Sequence, residues 1–316
     1  MELFRVRAPG SLTTVQDLGR RAFLDRGVPL SGALDEYACR VANLLVGNPE
    51  AAAVLEITVT GPVLEALAIA DIALTGAVME MTINGKPAQG WRTHRVNPGD
   101  VVRIPQAIGG CRGYFAVTGG IDVPAVMGSR STFEKAKIGG LGGRRLVKGD
   151  VLSRGAGDPL PIPREIPAQW IPRYDREITL RAIPGPQDDF FQQGGLDVFF
   201  RAAYTVTPQA DRMGYRLGGP AVCRDPGAPE SIVTEPTMPG NIQIPADGQP
   251  IILLVEQTSG GYAKIATVVA TDLSRVAQAL PGTVVRFEPV TLSTAHRLYR
   301  DQQHRLQSLR ECFANG

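Results

Sequence analysis

Short runs in which apolar and polar residues alternate dominate the chain. Val54–Thr60 reads Val, Leu, Glu, Ile, Thr, Val, Thr, and Ile69–Leu74, Val78–Ile83, Val101–Ile104, Tyr114–Val117 and Ile178–Ile183 follow it. Ile251–Val255, Ala263–Val269 and Val284–Phe287 come later. Their length and β-branched content predict strands, because branched side chains pack well on a pleated surface. Asn84-Gly85 after Val78–Ile83 predicts a two-residue hairpin, since both residues tolerate positive φ. Helical spacing occurs three times. Leu34, Tyr37, Ala38, Val41, Leu44 and Leu45 form one stripe, with Ser31 ahead as a cap and Gly47 and Pro49 as a stop. Leu273–Leu280 follows Asp272 as cap and ends at Pro281-Gly282. Ser293–Phe313 carries a stripe of Ala295, Leu298, Tyr299, Leu306, Leu309 and Phe313 opposite a face rich in Arg and Gln. Strands at this spacing, without regular intervening helices, predict a mainly β chain of barrels or sandwiches, not a parallel Rossmann sheet.

A chain of 316 residues suggests two domains. The seam predicted for them is Pro159–Pro172, where five prolines in fourteen residues exclude helix and sheet interior. The expected domains are therefore a β domain over 1–158, a linker over 159–172, a β-barrel over 173–290 and a helix over 291–316. Faint echoes connect the halves. Gln16-Asp17-Leu18-Gly19-Arg20 resembles Asp211-Arg212-Met213-Gly214-Tyr215-Arg216, and Gly149-Asp150-Val151-Leu152 resembles Gly282-Thr283-Val284-Val285. A duplicated barrel would explain them.

Composition narrows the function classes. Basic and acidic residues number 33 and 31, so a net charge of +2 gives no reason to expect nucleic acid or an anionic membrane as partner. The N-terminus has no apolar segment of the secretory kind, and no apolar window approaches a bilayer span, so a cytoplasmic location is expected. Cys39, Cys111, Cys223 and Cys312 are far apart and form no CxxC pair, which argues for free thiols and against zinc. His94, His296 and His304 show no metal spacing, and no Ser-His-Asp, Cys-His or HExxH pattern is present.

The candidate chemistry lies in polar residues set among glycines. Gln16, Asp17 and Arg20 surround Gly19, either as a ligand group or as an Asp-capped turn held by an Arg–Asp pair. Glycines on both sides of Ser31 let backbone N–H groups approach a ligand, and the helix that starts near Asp35 would point its positive end at a bound anion. Gly128-Ser129-Arg130-Ser131-Thr132 offers three hydroxyls and a guanidinium. Gly142, Gly143 and Arg144 belong to a glycine-rich loop that can bind phosphate or be an ordinary surface loop; it lacks the GxxxxGK[ST] spacing. Arg212 and Arg216, four apart, would share a face of an extended segment and grip one anion, or pair with carboxylates instead. Gln257, Gly261, Tyr262 and Lys264 follow the apolar strand Ile251–Val255. There Lys264 can neutralise developing negative charge and Gln257 can orient a carbonyl, against a plain hairpin with a solvated lysine.

The stretches TTVQDLGR, GVPLSGALD, ANLLVGN, LEITVTGP, GSRST, DRMGYRLGG, IQIPADGQP and TSGGY resemble the C subunit of bacterial 5-oxoprolinase, in the biotin-dependent carboxyltransferase family once labelled allophanate hydrolase subunit 2. The resemblance spans the chain to about Val290. Glu256 and Ser259 depart from it, where members carry Asp or His and a second Thr. It implies two cyclophilin-like β-barrel domains and an ATP-dependent complex, formed with A and B partner subunits, that opens 5-oxo-L-proline to L-glutamate. This chain would be inactive alone and would act with the B partner to bind and phosphorylate the lactam. Under that reading Asp17, Arg20, Arg130, Arg212, Arg216 and Lys264 are catalytic candidates, and Gln16, Ser31, Asp35, Gln257, Gly261 and Tyr262 contact substrate. Gly142, Gly143 and Arg144 meet phosphate. Phosphoryl transfer rests on cations and positioning, and Asp17, Asp35 or Glu56 would hold magnesium or a lactam N–H. ATP and magnesium are then the expected cofactors, bound here or at the partner. Two alternatives accompany it: transfer of a carboxyl group from carboxybiotin to urea or a similar acceptor, and a non-enzymatic role as antagonist of a kinase inhibitor.

Overall fold

The alternating segments pair into sheets according to the faces they can bury. In this computed structural model, which describes residues 1–191 and 193–314, the chain divides into two units. Residues 1–20, 31–174 and those from 306 onward form the first, and residues 21–30 and 175–305 form the second.

The first unit holds two sheets. One has the order Val151–Ser153, Glu2–Ala8, Val63–Ala66, Val101–Arg103, Thr82–Ile83, Lys86–Pro87, and the other Leu12–Gln16, Val54–Thr58, Gly109–Val117, Ala70–Val78, Thr93–Val96. The five-stranded sheet is buried on both faces. Leu55, Ile57, Ile72, Phe115 and Val117 join Phe4 and Leu64 in one core, while Val54, Ala73, Tyr114 and Ala116 pack on helix α1, Glu36–Leu45. Double burial explains why Ala70–Val78 is apolar at nearly every position instead of alternating. Each buried Leu, Ile or Phe contributes roughly 1.5–3 kcal/mol, so the two cores fix this sheet firmly.

The second unit closes into a seven-stranded barrel with the order Glu177–Pro184, Ala263–Val268, Asn241–Ile244, Ile251–Leu253, Gly214–Gly218, Tyr204–Ala210, Val284–Pro289. Its first and last strands pair in parallel and the other pairs are antiparallel. Leu180, Ala182, Tyr204, Tyr215, Ile242, Ile252 and Phe287 are buried. The other α-helices are α2 (Gln193–Arg201), α3 (Leu273–Gln278) and α4 (Leu292–Ala314), with α4 belonging to the first unit from Leu306.

The mainly β class and the three predicted helices stand, with differences that have physical causes. Asp35, not Ser31, caps α1, because its side chain accepts from Ala38 N. Asp272 precedes α3 but makes no capping bond; its carboxylate takes both the backbone and the guanidinium of Arg181. The predicted strand Val78–Ile83 is the end of one strand and the start of another, while its Asn84-Gly85 hairpin forms with φ 51° and 78°. A closed barrel is found in the second unit, whereas the first is built on two sheets. The proline-rich residues 159–172 fall within the first unit, where Asp71 accepts from Leu160 N and Thr93 Oγ1 accepts from Arg164 N. Asn315 and Gly316, at the end of the predicted last helix, lie outside the described residues.

The two sequence echoes are turns built the same way. Asp17 accepts from Gly19 N and Asp211 from Met213 N, each just after a strand. Asp150 and Thr283 each follow a glycine of positive φ, and each closes a turn through both its backbone N–H and its side chain.

Candidate functional site

Two polar groups gather the sequence candidates, one in each unit. In the first unit, the strand Leu12–Gln16 delivers Asp17 beside the Gly-Ser-Arg-Ser-Thr segment. Asp17 Oδ1 accepts from Ser129 Oγ at 2.6 Å, Ser131 Oγ at 2.5 Å and Gly19 N at 2.8 Å, and its Oδ2 accepts from Arg130 N at 2.6 Å. Gln16 is fully buried and spans Thr14, the Thr132 carbonyl and Gly32 N. Arg20, 1% exposed, donates to the Ser131 carbonyl. Asp35 accepts from Ala38 N and from Tyr174 Oη, and its own N–H donates to Tyr114 Oη. Tyr114 in turn donates to Glu56, which also accepts from Leu34 N. Burial, and then the carboxylates of Glu56 and Asp35, hold the Tyr114 phenol well above its ordinary pKa; burial and Asp35 do the same for Tyr174. Both stay neutral donors. These residues converge, but on one another, because carboxylates buried this deeply need several donors apiece. Ser31 adds an open group. It sits at φ 53° with a buried hydroxyl that has no partner among the described residues.

The glycine loop packs against the same segment. A Cβ on Gly139 would lie 2.1 Å from the Ser131 carbonyl, and one on Gly143 2.2 Å from the Lys137 backbone, whereas Gly142 has open space around it. Arg144 is held bidentately by Asp150 at 2.8 Å, and Arg145 by Glu134 at 3.0 and 3.1 Å. Gly143 N donates to the Gly139 carbonyl. With its cations and this amide engaged, the loop does not fit a triphosphate. Nor do Asp17, Asp35 and Glu56 fit magnesium: each already accepts from the protein, and no group of three potential ligand side chains forms among the described residues.

In the second unit, Gln243 and Lys264 stand opposite each other on paired strands, at 3% exposure each. That face is the outer wall of the barrel, yet a ribbon of Glu235–Pro236 and Ser259–Gly260 covers it. Lys264 Nζ pairs with Glu235 Oε1 and donates to the Pro236 carbonyl at 3.3 Å. An ammonium has three donors, so one remains without a partner among the described residues. Gln187 donates to the same Glu235 oxygen at 3.0 Å and accepts from Lys264 N. The hydrogen bond from Lys264, first of all, holds the Glu235 carboxyl below its ordinary pKa. Thr237 adds a buried hydroxyl that has no partner among the described residues. Tyr262 stands at the edge, 41% exposed, with its carbonyl accepting from Gln243. A buried cation with a spare donor, an orphan hydroxyl and two amides suits an oxygen that gains negative charge.

Arg212 and Arg216 do not act together. Arg212 lies in a turn and pairs with Glu256 at 2.6 Å, both side chains buried, while Arg216 is half exposed beside Asp247. Gln257 donates to Ser259 O within its own turn. Neither Gly260 nor Gly261 has positive φ; at Gly260 an added Cβ would lie 2.4 Å from Gln243 Nε2 and would displace that side-chain amide. Sequence reasoning missed Glu235, Gln187, Gln243 and Thr237. Gln243, between Ile242 and Ile244, reads as an ordinary outward strand position, and only the covering ribbon makes it a buried one.

Residues 26–289 match the carboxyltransferase domain family, subdomain A and B. The chain is 37% identical over 309 residues to the 5-oxoprolinase C subunit of Escherichia coli, covering 97% of each chain. It is 35% identical to the 5-oxoprolinase C subunit of Haemophilus influenzae, covering 95% of each. Among solved structures, K. lactis urea amidolyase superposes with a TM-score of 0.92 at 31% identity over 97% of this chain, which spans 20% of that protein.

Proposed function

The chain belongs to the carboxyltransferase family of subdomains A and B, and from that premise we propose that it is the C-type subunit of an ATP-dependent 5-oxoprolinase, opening 5-oxo-L-proline to L-glutamate together with two partner subunits. The observation that carries this reading is the 37% identity to a 5-oxoprolinase C subunit across 97% of both chains. A lactam carbonyl is a poor electrophile until its oxygen takes a phosphoryl group from ATP; water can then add to the carbon, and the negative charge that develops on oxygen needs a cation before the ring C–N bond breaks and the amine leaves. Lys264 is the group for that task. Its spare N–H donates to the carbonyl oxygen, with Thr237 alongside, while Glu235 holds the ammonium and Gln187 holds Glu235. Tyr262 borders the opening. Asp17, Gln16, Arg20 and Asp35 form the scaffold that shapes the first unit. ATP and magnesium are handled by the partner subunits, since the glycine loop and the buried carboxylates of this chain do not fit them.

The test is reconstitution. The purified chain should release negligible glutamate from 5-oxo-L-proline and ATP, and mixing it with its two partner subunits should restore release. Robust turnover by this chain alone would sink the multi-subunit reading. Likeness to a urea amidolyase supports a second reading, carboxyl transfer from carboxybiotin to urea. Urea-dependent loss of carboxybiotin, without glutamate release from the lactam, would establish it in place of the first.

A further inference from the structure

We propose that a cavity in the first unit binds a free α-amino acid as its zwitterion. The cavity measures about 450 Å³ and is lined by the segment after α1, by Ala51 and Ala52, and by Arg130, Asp158 and Leu160. It contains none of the residues of the Lys264 group, and the inference does not rest on the reaction proposed above.

Arg130 is the anchor for a carboxylate. Its backbone N–H is fixed by Asp17 Oδ2 at 2.6 Å and its Nε by the Val123 carbonyl at 2.9 Å. Those two bonds hold its backbone and the base of its side chain. Nη2 lies 3.5 Å from Asp122, and Nη1 has no hydrogen-bond partner among the described residues. A guanidinium held at its base, with Nη1 open and Nη2 only in a long, exposed ion pair, can turn its fork to a planar anion. The buried Asp17, Ser129 and Ser131 network then gains a purpose, because it fixes the backbone from which Arg130 projects.

The same cavity offers the opposite charge. Asp158 forms no ion pair among the described residues, with Arg130 or with any other cation, and it is exposed. Val46, Gly47, Asn48 and Pro49 line the cavity directly after α1, and the ten-residue helix presents the negative end of its dipole there. Asn48 makes this wall rigid, since it joins Asn43, Val117 and Gly119 through one amide. One fixed cation, one free carboxylate and a helix C-terminus on a single cavity match a ligand carrying a carboxylate and an ammonium. Ala51, Ala52 and Leu160 leave an apolar wall for its side chain.

The test uses the full chain with L-glutamate and L-leucine, beside N-acetyl-L-leucine, which lacks the ammonium, and L-leucinamide, which lacks the carboxylate. Calorimetry or ligand-observed NMR should show saturable binding of at least one free amino acid. Each blocked form should bind about tenfold more weakly or worse, one charge contact being worth about that factor. Arg130→Gln and Asp158→Asn should each lose about tenfold in affinity with an unchanged melting temperature. Should Arg130→Gln fail to fold, Asp158→Asn and Ala51→Trp, both at exposed positions, carry the test. The proposal is overturned if neither free amino acid binds, if the blocked forms bind as well as their parent, or if the folded variants retain wild-type affinity.

Discussion

Arg212 and Glu256 show how a single contact changes what a residue is for. Each carboxylate or guanidinium that leaves water at this depth must be repaid by its partner, and the two side chains are 9% and 8% exposed. Arg212→Ala therefore strands a buried carboxylate, and the expected loss of stability is roughly 3–5 kcal/mol. Urea denaturation checks it. The double variant Arg212→Ala, Glu256→Ala should recover part of the loss, and a single variant as stable as wild type would make Arg212 a candidate ligand contact again. Glu235 supplies a pH test. Its folded pKa is depressed by Lys264, so the pair stabilises the protein above the ordinary carboxylate value. That contribution is lost as pH falls through the depressed folded value. The urea midpoints of wild type and Glu235→Gln should differ at neutral pH and converge in acid below the usual carboxylate range. Midpoints that stay equally far apart at every pH would show that Glu235 does not pair with Lys264 in solution.

At the scale of elements, glycines in one loop should respond differently to the same change. Gly142 and Gly143 both have positive φ, 65° and 70°, so alanine costs about 1–2 kcal/mol at either. At Gly143 the added methyl also meets the Lys137 backbone, which cannot yield cheaply. Thermal melts should place Gly143→Ala well below Gly142→Ala, and equal melts would mean the loop is not packed as described. Asp35→Ala should cost about 0.5–2 kcal/mol through the lost cap of α1, read from the same melts. Much of this level was legible in the sequence. The stripe from Leu34 to Leu45, the Asn84-Gly85 turn and three strands of the double-buried sheet follow from the sequence pattern, whereas Leu12–Gln16 and Thr93–Val96 are not among the predicted strands. What was hidden depends on coverage. Asp17 and Arg20 look like ligand groups until the Ser129–Thr132 segment, over a hundred residues away, is seen to engage both. Lys264 looks like a solvated hairpin residue until the ribbon at Glu235 closes over it.

For the whole molecule, the order of segments matters as much as their structure. The first unit draws on residues 1–20, 31–174 and those from 306 onward. Leu306 and Leu309, each 1% exposed, belong to its second core beside α1. Replacing both with alanine removes two buried side chains, each worth roughly 2–5 kcal/mol. Hydrogen exchange should show protection lost in the first unit and kept in the barrel of the second. Uniform loss across both units would contradict the division.

The same arrangement bears on how the protein is made. A chain leaves the ribosome from its N-terminus, and domains commonly fold in that order as they emerge. Here the first unit lacks its closing piece until residues beyond 305 emerge, and every residue of the second unit emerges ahead of them. The barrel can thus mature before the pair of sheets that precedes it, and a nascent chain halted near residue 300 would leave the floor under α1 open to chaperones and proteases.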